Sequence, residues 1–444
     1  EAFRNDEFNA QNAPFLWQLA QENIWFRNYR VVASATRPSV TSFFTSLYPA
    51  QHGCYNLALG QTGQSDASGH ASVKVADTIE AFPRLLQDIG YRTLMVTSNG
   101  LTADPVFGFE DVFRRFDATE PYRFRIPSFN GFVGFDFLNW KLRLTRIFKI
   151  IFFNPEHSTT YFEAPRVNKT VQREMERHDY RPLLLYAHYM EPHSPYYHHP
   201  HQATQINFYA PSQRGKLLSA YRSEIRAADQ AIAELFAYWE LNGMLENTYV
   251  FITADHGEEF YDHRNWGHGK SLYPEAISVP AILLLPPDQR RALQIDTAVE
   301  NIDVSATILD LAGLTVPEIY EGRSLVPLFS DQGAVADFPL DQRATFSQFD
   351  DGKVFWASMV TNDGWQVIFK GRDENRQTML FDLKTDPLAK QNLFGQGIAT
   401  QDSLVNQLTS NLARLEASAP LFQGELEAID PEQLEQLRAL GYVD

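Results

Sequence analysis

The chain has 444 residues, enough to bury a large apolar core and to build a second, smaller unit. Its formal net charge of −17 speaks against general nucleic-acid binding, which needs a basic face. A single cysteine, Cys54, excludes an internal disulfide, and no apolar run reaches the length of a membrane span.

The opening run EAFRNDEFNAQ is polar and lacks the pattern of a buried strand. Further on, Pro38 near a first helical position places Thr36 at a helix N-terminus, and SVTSFFTSLY after it is apolar at helical spacing. Helices are expected at Thr78–Asp88, Leu217–Leu241 and Ile302–Leu311, the last ending at Gly313. They alternate with strand-like runs at Thr93–Ser98, Leu183–His188, Thr248–Ala254 and Ala281–Leu285. Such alternation predicts an α/β fold with a mostly parallel sheet between two layers of helices. After about Phe329 the pattern changes. Short runs at Ala344–Phe349, Val354–Val360, Trp365–Phe369 and Thr378–Leu383, split by turn signals such as NDG, predict a small antiparallel sheet. Leu404–Leu415 and Pro431–Leu440 read as helices. The expected organisation is a large α/β domain over 1–330 and a C-terminal antiparallel subdomain with a helical tail over 331–444.

The chemistry concentrates in ITADHGEEF, Ile252–Phe260, where Asp255 and His256 sit at the end of a strand that Gly257 breaks. The carboxyl ends of strands are where open α/β sheets place their sites. On these residues alone, a metal-ligand pair and a capping Asp beside a core His both remain open, and Thr36 can be a nucleophile or a simple N-cap.

With SATRPSVTSFFTSLYPAQHG at Ser34–Gly53, the chain resembles the sulfatase branch of the alkaline phosphatase superfamily. Tyr48-Pro49 and His52-Gly53 set the register, which puts Thr36 at the family nucleophile and Pro38 on the family proline. GYRTLMVTSNG (Gly90–Gly100), HYMEPHSPY (His188–Tyr196), WGHGKSLYPEAISVP (Trp266–Pro280), NIDVSATILDLAG, GRSLVPLF and MLFDLKTDPLAKQNLF follow in the family's order. NAPFLWQLAQENIWFRNY at Asn12–Tyr29 resembles an early family segment that normally follows a buried strand ending in metal-binding aspartates. The resemblance therefore implies that this strand and its acidic ligands are lacking, with Asp6 and Glu7 poor substitutes.

The resemblance implies a metal-dependent hydrolase or transferase acting on a phosphoester or sulfate ester through Thr36. Asp255, His256 and Thr36 would hold the metal, a set suited to Zn²⁺ or Mn²⁺ rather than Ca²⁺. His193 would act as general acid. His268, Lys270 and Arg37 would bind the anionic substrate, although a surface ion pair is an equal reading for Arg37. Glu258 would support His256 or a backbone turn, Glu191 and His188 could serve a second metal, and His198, His199 and His201 read as a solvated loop. Two departures matter. Sulfatases make formylglycine from Cys or Ser, which Thr36 cannot supply, and Val40 stands where the family has arginine. Relatives with an unmodified Thr, such as nucleotide pyrophosphatase-type phosphodiesterases and lipoteichoic acid synthase-like transferases, act on phosphoesters. The alternative is a catalytically incomplete, anion-binding chain or gene fragment. Asn139–Phe153, NWKLRLTRIFKIIFF, interleaves basic and apolar residues; it suits either a core-facing helix or contact with a membrane surface or a lipid- or glycan-linked substrate.

Overall fold

The computed structural model describes residues 1–54, 58–59, 70–73, 80–99, 113–117, 163–177, 179–194, 196, 210–330, 343–350, 352, 354–418 and 426–428. Asn139–Phe153, the cluster His198, His199 and His201, and Pro431–Leu440 lie outside the described residues.

The principal helices are α1 (Pro14–Glu22), α2 (Thr36–Thr45), α3 (Phe82–Asp88), α4 (Ala164–Met175), α5 (Arg214–Leu241), α6 (Asn301–Leu311) and α7 (Gln401–Ser418). The principal strands are β1 (Ile24–Phe26), β2 (Tyr29–Arg30), β3 (Arg92–Thr97), β4 (Arg114–Asp117), β5 (Leu183–His188), β6 (Val250–Thr253), β7 (Ala281–Leu284), β8 (Leu293–Ile295) and β9 (Val299–Glu300), followed by β10 (Ala344–Asp350), β11 (Phe355–Thr361), β12 (Trp365–Lys370) and β13 (Gln377–Asp382). Most boundaries fall within three residues of the sequence expectation. α3 begins later, because Pro83 suits a first turn and Glu80 and Ala81 are not helical.

One sheet, in the order β4-β3-β5, is parallel throughout. A second, β8-β1-β7-β6, is mixed: β1 and β8 are parallel, whereas β7 runs antiparallel to both β1 and β6. The expectation of a mostly parallel sheet therefore holds for the first sheet and is modified at β7. The chain between β6 and β7 is spent on a hairpin, Glu259–Phe260 with Trp266–Gly267, and a turn, Pro274–Ile277. No crossover helix is left there to carry the chain back to a parallel start. β5 and β6 line a cavity of about 720 Å³ between the two sheets.

Helix faces follow from spacing. On α5, Leu217, Tyr221, Ile225, Ala228 and Leu235 are buried along one stripe, and on α4 Val167 and Val171 do the same. The four-stranded antiparallel sheet β10-β11-β12-β13 is buried on both faces at β11. Phe355, Ala357 and Met359 join Leu404 and Leu408 of α7 in one cluster, while alternate residue Trp356 enters the main core with Ile368 and Phe381. The two-residue period of the strands thus glues this sheet to the rest of the molecule. Among the described residues, no helix is long and apolar enough to cross a membrane.

Candidate active site

Five segments converge where strands end. Asp255 and His256 follow β6, His188 closes β5, Asn99 lies just beyond β3, Thr36 opens α2, and Glu1 comes from the amino-terminal segment. Thr36 is the first helical residue, and the N-cap position before it belongs to Ala35, in extended conformation. The Thr36 hydroxyl donates to Glu1 Oε1 at 3.0 Å and lies 3.1 Å from His256 Nε2. The simple N-cap reading is thereby set aside.

Glu1 overturns the expectation that acidic ligands from the amino-terminal segment are lacking. Its carboxylate is fully buried, with Oε1 3.1 Å from His256 Nε2, and Oε2 2.7 Å from His188 Nε2 and 3.3 Å from the Asn99 amide. The segment is not a strand. It is held by Phe3 and Phe8 in the core and by Arg4, only 1% exposed, which pairs with Asp6 at 2.6 Å and Asp262 at 2.7 Å. Tyr221 of α5 donates to the Ala2 carbonyl and accepts from the Arg4 amide. All of these partners except Asp6 are distant in sequence, which is why periodicity missed the segment. As expected, Asp6 and Glu7 serve elsewhere, Glu7 pairing with Arg222.

Glu1, Asp255 and His256 each offer a ligand atom, and these atoms lie within 4.8 Å of one another. Asp255 Oδ2 is buried and has no hydrogen-bond partner, while Oδ1 accepts the amides of Ala2 and His256. His256 Nδ1 faces the Gly257 carbonyl at 2.7 Å, which leaves Nε2 for the pocket. Two carboxylates, an imidazole and the Thr36 hydroxyl form a mixed oxygen–nitrogen set that fits a divalent metal ion. Electrostatics agree. Burial opposes charge on both groups, yet Asp255 and Glu1 raise His256 to about 9, and His256 and His188 hold the Glu1 carboxyl well below the usual range. In this arrangement the His256 imidazolium offsets the two carboxylates; a divalent cation would take its place, with His256 neutral.

The pocket is braced from behind. Ser39 donates to the Asp255 carbonyl at 2.5 Å, and Asn301 of α6 holds Ser39 and the Val32 amide. A row of imidazoles borders it: His256 and His268 have ring centroids 4.3 Å apart, and His268 and His193 5.0 Å. Burial and then the neighbouring His256 depress His268 to about 3; burial and then His268 depress His193. Both are therefore neutral near pH 7, which weakens the expectation of a protonated acid at His193 and of a cationic anion-binder at His268. Lys270 is exposed, donates to the Trp266 carbonyl and lies 5.5 Å from the Trp266 ring centroid. Arg37 is buried, contrary to the surface ion-pair reading, and its charge acts on His52 and Cys54. Glu258 supports His268 rather than His256, and Glu191 accepts the Ala164 amide at the start of α4.

The sulfatase family pattern matches residues 4–314, and the pattern for the C-terminal region of N-sulphoglucosamine sulphohydrolase matches 258–418. The chain belongs to the sulfatase family. Among relatives of this sulfatase-family chain, arylsulfatase K of Xenopus laevis is 28% identical over 180 residues, 40% of this chain and 33% of that protein. The multifunctional alkaline phosphatase superfamily protein PehA of Trinickia caryophylli is 30% identical over 195 residues, 40% of this chain and 37% of that protein. The matched regions thus span about a third of these relatives' own length. A solved phosphonate monoester hydrolase from Silicibacter pomeroyi shares the fold with a TM-score of 0.66 at 17% identity, covering 94% of both chains. A structure described in complex with its substrate D-glucosamine-2-N,6-O-disulfate has a TM-score of 0.69 at 16% identity, covering 95% of this chain and 97% of the other.

Proposed function

We propose that this sulfatase-family chain is a metal-dependent ester hydrolase in which Thr36 is the nucleophile and a phosphoester is preferred over the matching sulfate ester. The observation that carries this reading is the Thr36 hydroxyl, 3.0 Å from Glu1 and 3.1 Å from His256, at the N-terminus of α2. Helix N-termini present backbone N–H groups and positive dipole ends to anions, so a phosphoryl or sulfuryl group would be bound there. Glu1, Asp255, His256 and Thr36 would hold the divalent cation. When bound, it supplies positive charge that lowers the pKa of the Thr36 hydroxyl and offsets charge on the transferred group.

The chain's own residues then do the following. Thr36 Oγ1, having lost its proton to solvent, bonds to phosphorus as the bond from phosphorus to the leaving oxygen breaks. The leaving oxygen takes up a proton, for which His193 is the candidate donor once it is itself protonated. Water then attacks phosphorus, the bond to Oγ1 breaks and Thr36 is regenerated. Thr36 carries a methyl group on Cβ and cannot become an aldehyde hydrate. A sulfate ester on it lacks the elimination route open to formylglycine. The names of the relatives support both ester classes, so sulfate-ester hydrolysis is the second reading. Paired aryl phosphate, phosphodiester and sulfate substrates, assayed with Zn²⁺ and Mn²⁺, test the preference. A higher kcat/KM for the sulfate overturns it, and no turnover of any of them favours an anion-binding protein.

A further inference from the structure

We propose that Asn301 is a positioning residue that clasps the chain on both sides of Thr36 and, through Ser39, keeps the Thr36 hydroxyl in register with Asp255 and His256. The inference rests on the reading of Thr36 as the nucleophile beside a cation site and deepens it. Asn301 opens α6 and is 3% exposed; Ser39, one helical turn beyond Thr36, is fully buried. Asn301 Oδ1 accepts the Val32 amide at 3.0 Å, and its Nδ2 donates to both the carbonyl and the hydroxyl oxygen of Ser39, each at 3.2 Å. Ser39 Oγ in turn donates to the Asp255 carbonyl at 2.5 Å. One amide side chain therefore ties together the segment before α2, the first turn of α2 and the strand end that carries Asp255 and His256.

Donor and acceptor roles leave this network one arrangement. A main-chain N–H only donates, so the Asn301 atom facing Val32 is the oxygen; a carbonyl only accepts, so the atom facing the Ser39 carbonyl is the nitrogen. The single hydroxyl hydrogen of Ser39 goes to the Asp255 carbonyl, so Oγ meets Asn301 as an acceptor. Thr36 and Ser39 stand three positions apart on α2 and share a face. Against that face lie His256 Nε2, 3.1 Å from the Thr36 hydroxyl, and the Asp255 carbonyl. Two contacts one turn apart set both the rotation of α2 and its slide along the strand end. The clasp is itself anchored. The Val32 carbonyl accepts the Gln348 amide of β10 at 2.8 Å, and Glu300, the residue before Asn301, accepts the Phe346 amide at 2.6 Å. The C-terminal sheet thus holds the helix end from which the nucleophile is positioned.

The experiment is crystal structures of Asn301→Ala and Ser39→Ala, combined with steady-state kinetics of both and of the double variant on an aryl phosphate. In Asn301→Ala the Thr36 hydroxyl should leave hydrogen-bond range of His256, and kcat should fall about 10–100-fold with little change in KM, the scale on which small misplacements of a reacting group act. Ser39→Ala should shift the same contact and cost less, because Asn301 still holds Val32 and the Ser39 carbonyl. The two residues act in series, so the double variant should lose no more than Asn301→Ala alone. An unchanged Thr36–His256 contact in Asn301→Ala, or losses of kcat that multiply, would overturn the proposal. If Asn301→Ala does not fold, Ser39→Ala decides by itself, and wild-type geometry and kcat in that variant overturn the proposal equally. The crystallographic contact needs neither metal nor turnover, so it stands apart from a failure of Thr36 as nucleophile. A loss above about 10³-fold in Ser39→Ala, with Thr36→Ala still active, would make Ser39 the nucleophile and overturn both readings.

Discussion

Two buried acidic clusters, one at the N-terminus of α6 and one beside Thr36 at the N-terminus of α2, differ in how completely their oxygens are partnered. At the C-terminal sheet, Glu300 accepts from the Tyr48 hydroxyl at 2.9 Å and the Phe346 amide at 2.6 Å. Asp303 accepts the amides of Glu300 and Arg323 and pairs with Arg343. In the candidate-site pocket, Asp255 Oδ2 has no hydrogen bond and only the His256 imidazole nearby, at 3.5 Å. Buried carboxylates that are fully partnered are structural, here tying β10 to the N-terminus of α6. Those left with a bare lone pair beside imidazoles carry an unfavourable concentration of charge, which a cation relieves.

That contrast can be broken most directly at Thr36. Thr36→Ala should lower kcat by roughly 10³-fold or more on any ester the enzyme turns over, with its circular dichroism unchanged. Retained turnover would move the nucleophile to Ser34 or Ser39. Next, Asp255→Asn should abolish stoichiometric divalent-ion binding by elemental analysis, while thermal unfolding in chelator shifts by no more than about 1 kcal/mol. A large loss of stability without metal would place Asp255 with the structural cluster instead.

The opposite pattern is expected across the molecule. Asp303→Asn should cost about 3–5 kcal/mol in chemical denaturation, because it removes the carboxylate charge from a buried ion pair with Arg343, and metal content should be unchanged. The smallest effect concerns pH. Burial, reinforced by Asp303, pushes Glu300 up to about 8. A carboxyl raised in the folded state binds its proton more tightly there than when unfolded. Its contribution is full below the ordinary carboxylate range and is lost as pH rises through the folded value. Glu300→Gln should therefore flatten the fall in stability between about pH 5 and 8, by at most about 1.4 kcal/mol per pH unit. An unaltered slope would show that the group is ionised throughout.

The sequence was readable where local pattern and local structure coincide. β5 was placed to the residue, and α5, α6 and α7 were found within three residues of their observed ends, because long apolar stripes and a short unbroken apolar run decide these elements locally. The pair Asp255 and His256 was visible for the same reason, standing where a strand breaks at glycine. Glu1 was not visible. Its segment has no periodicity, and its burial depends on Asp262, Tyr221 and Glu258, all more than two hundred positions away. The cue available was a glutamate just ahead of Phe3 and Arg4, too short a signal to set against the absence of a strand. The partners of Glu258 and the burial of Arg37 were hidden likewise, since a charged residue's neighbours are chosen by tertiary contact rather than by its own stretch of chain.

Gly257 marks how narrow the tolerance of this pocket is. Its amide donates to the Ala276 carbonyl at 2.9 Å, and a Cβ built on it would overlap the Glu275 carbonyl. The backbone between His256 and Glu258 thus lies flush against the Pro274–Ile277 turn, with no room for even a methyl group. A single alanine here would act as a wedge, lifting His256 away from Glu1 and Glu258 away from His268 together. Two contacts that look separable, His256 with Glu1 and Glu258 with His268, therefore share one point of mechanical failure.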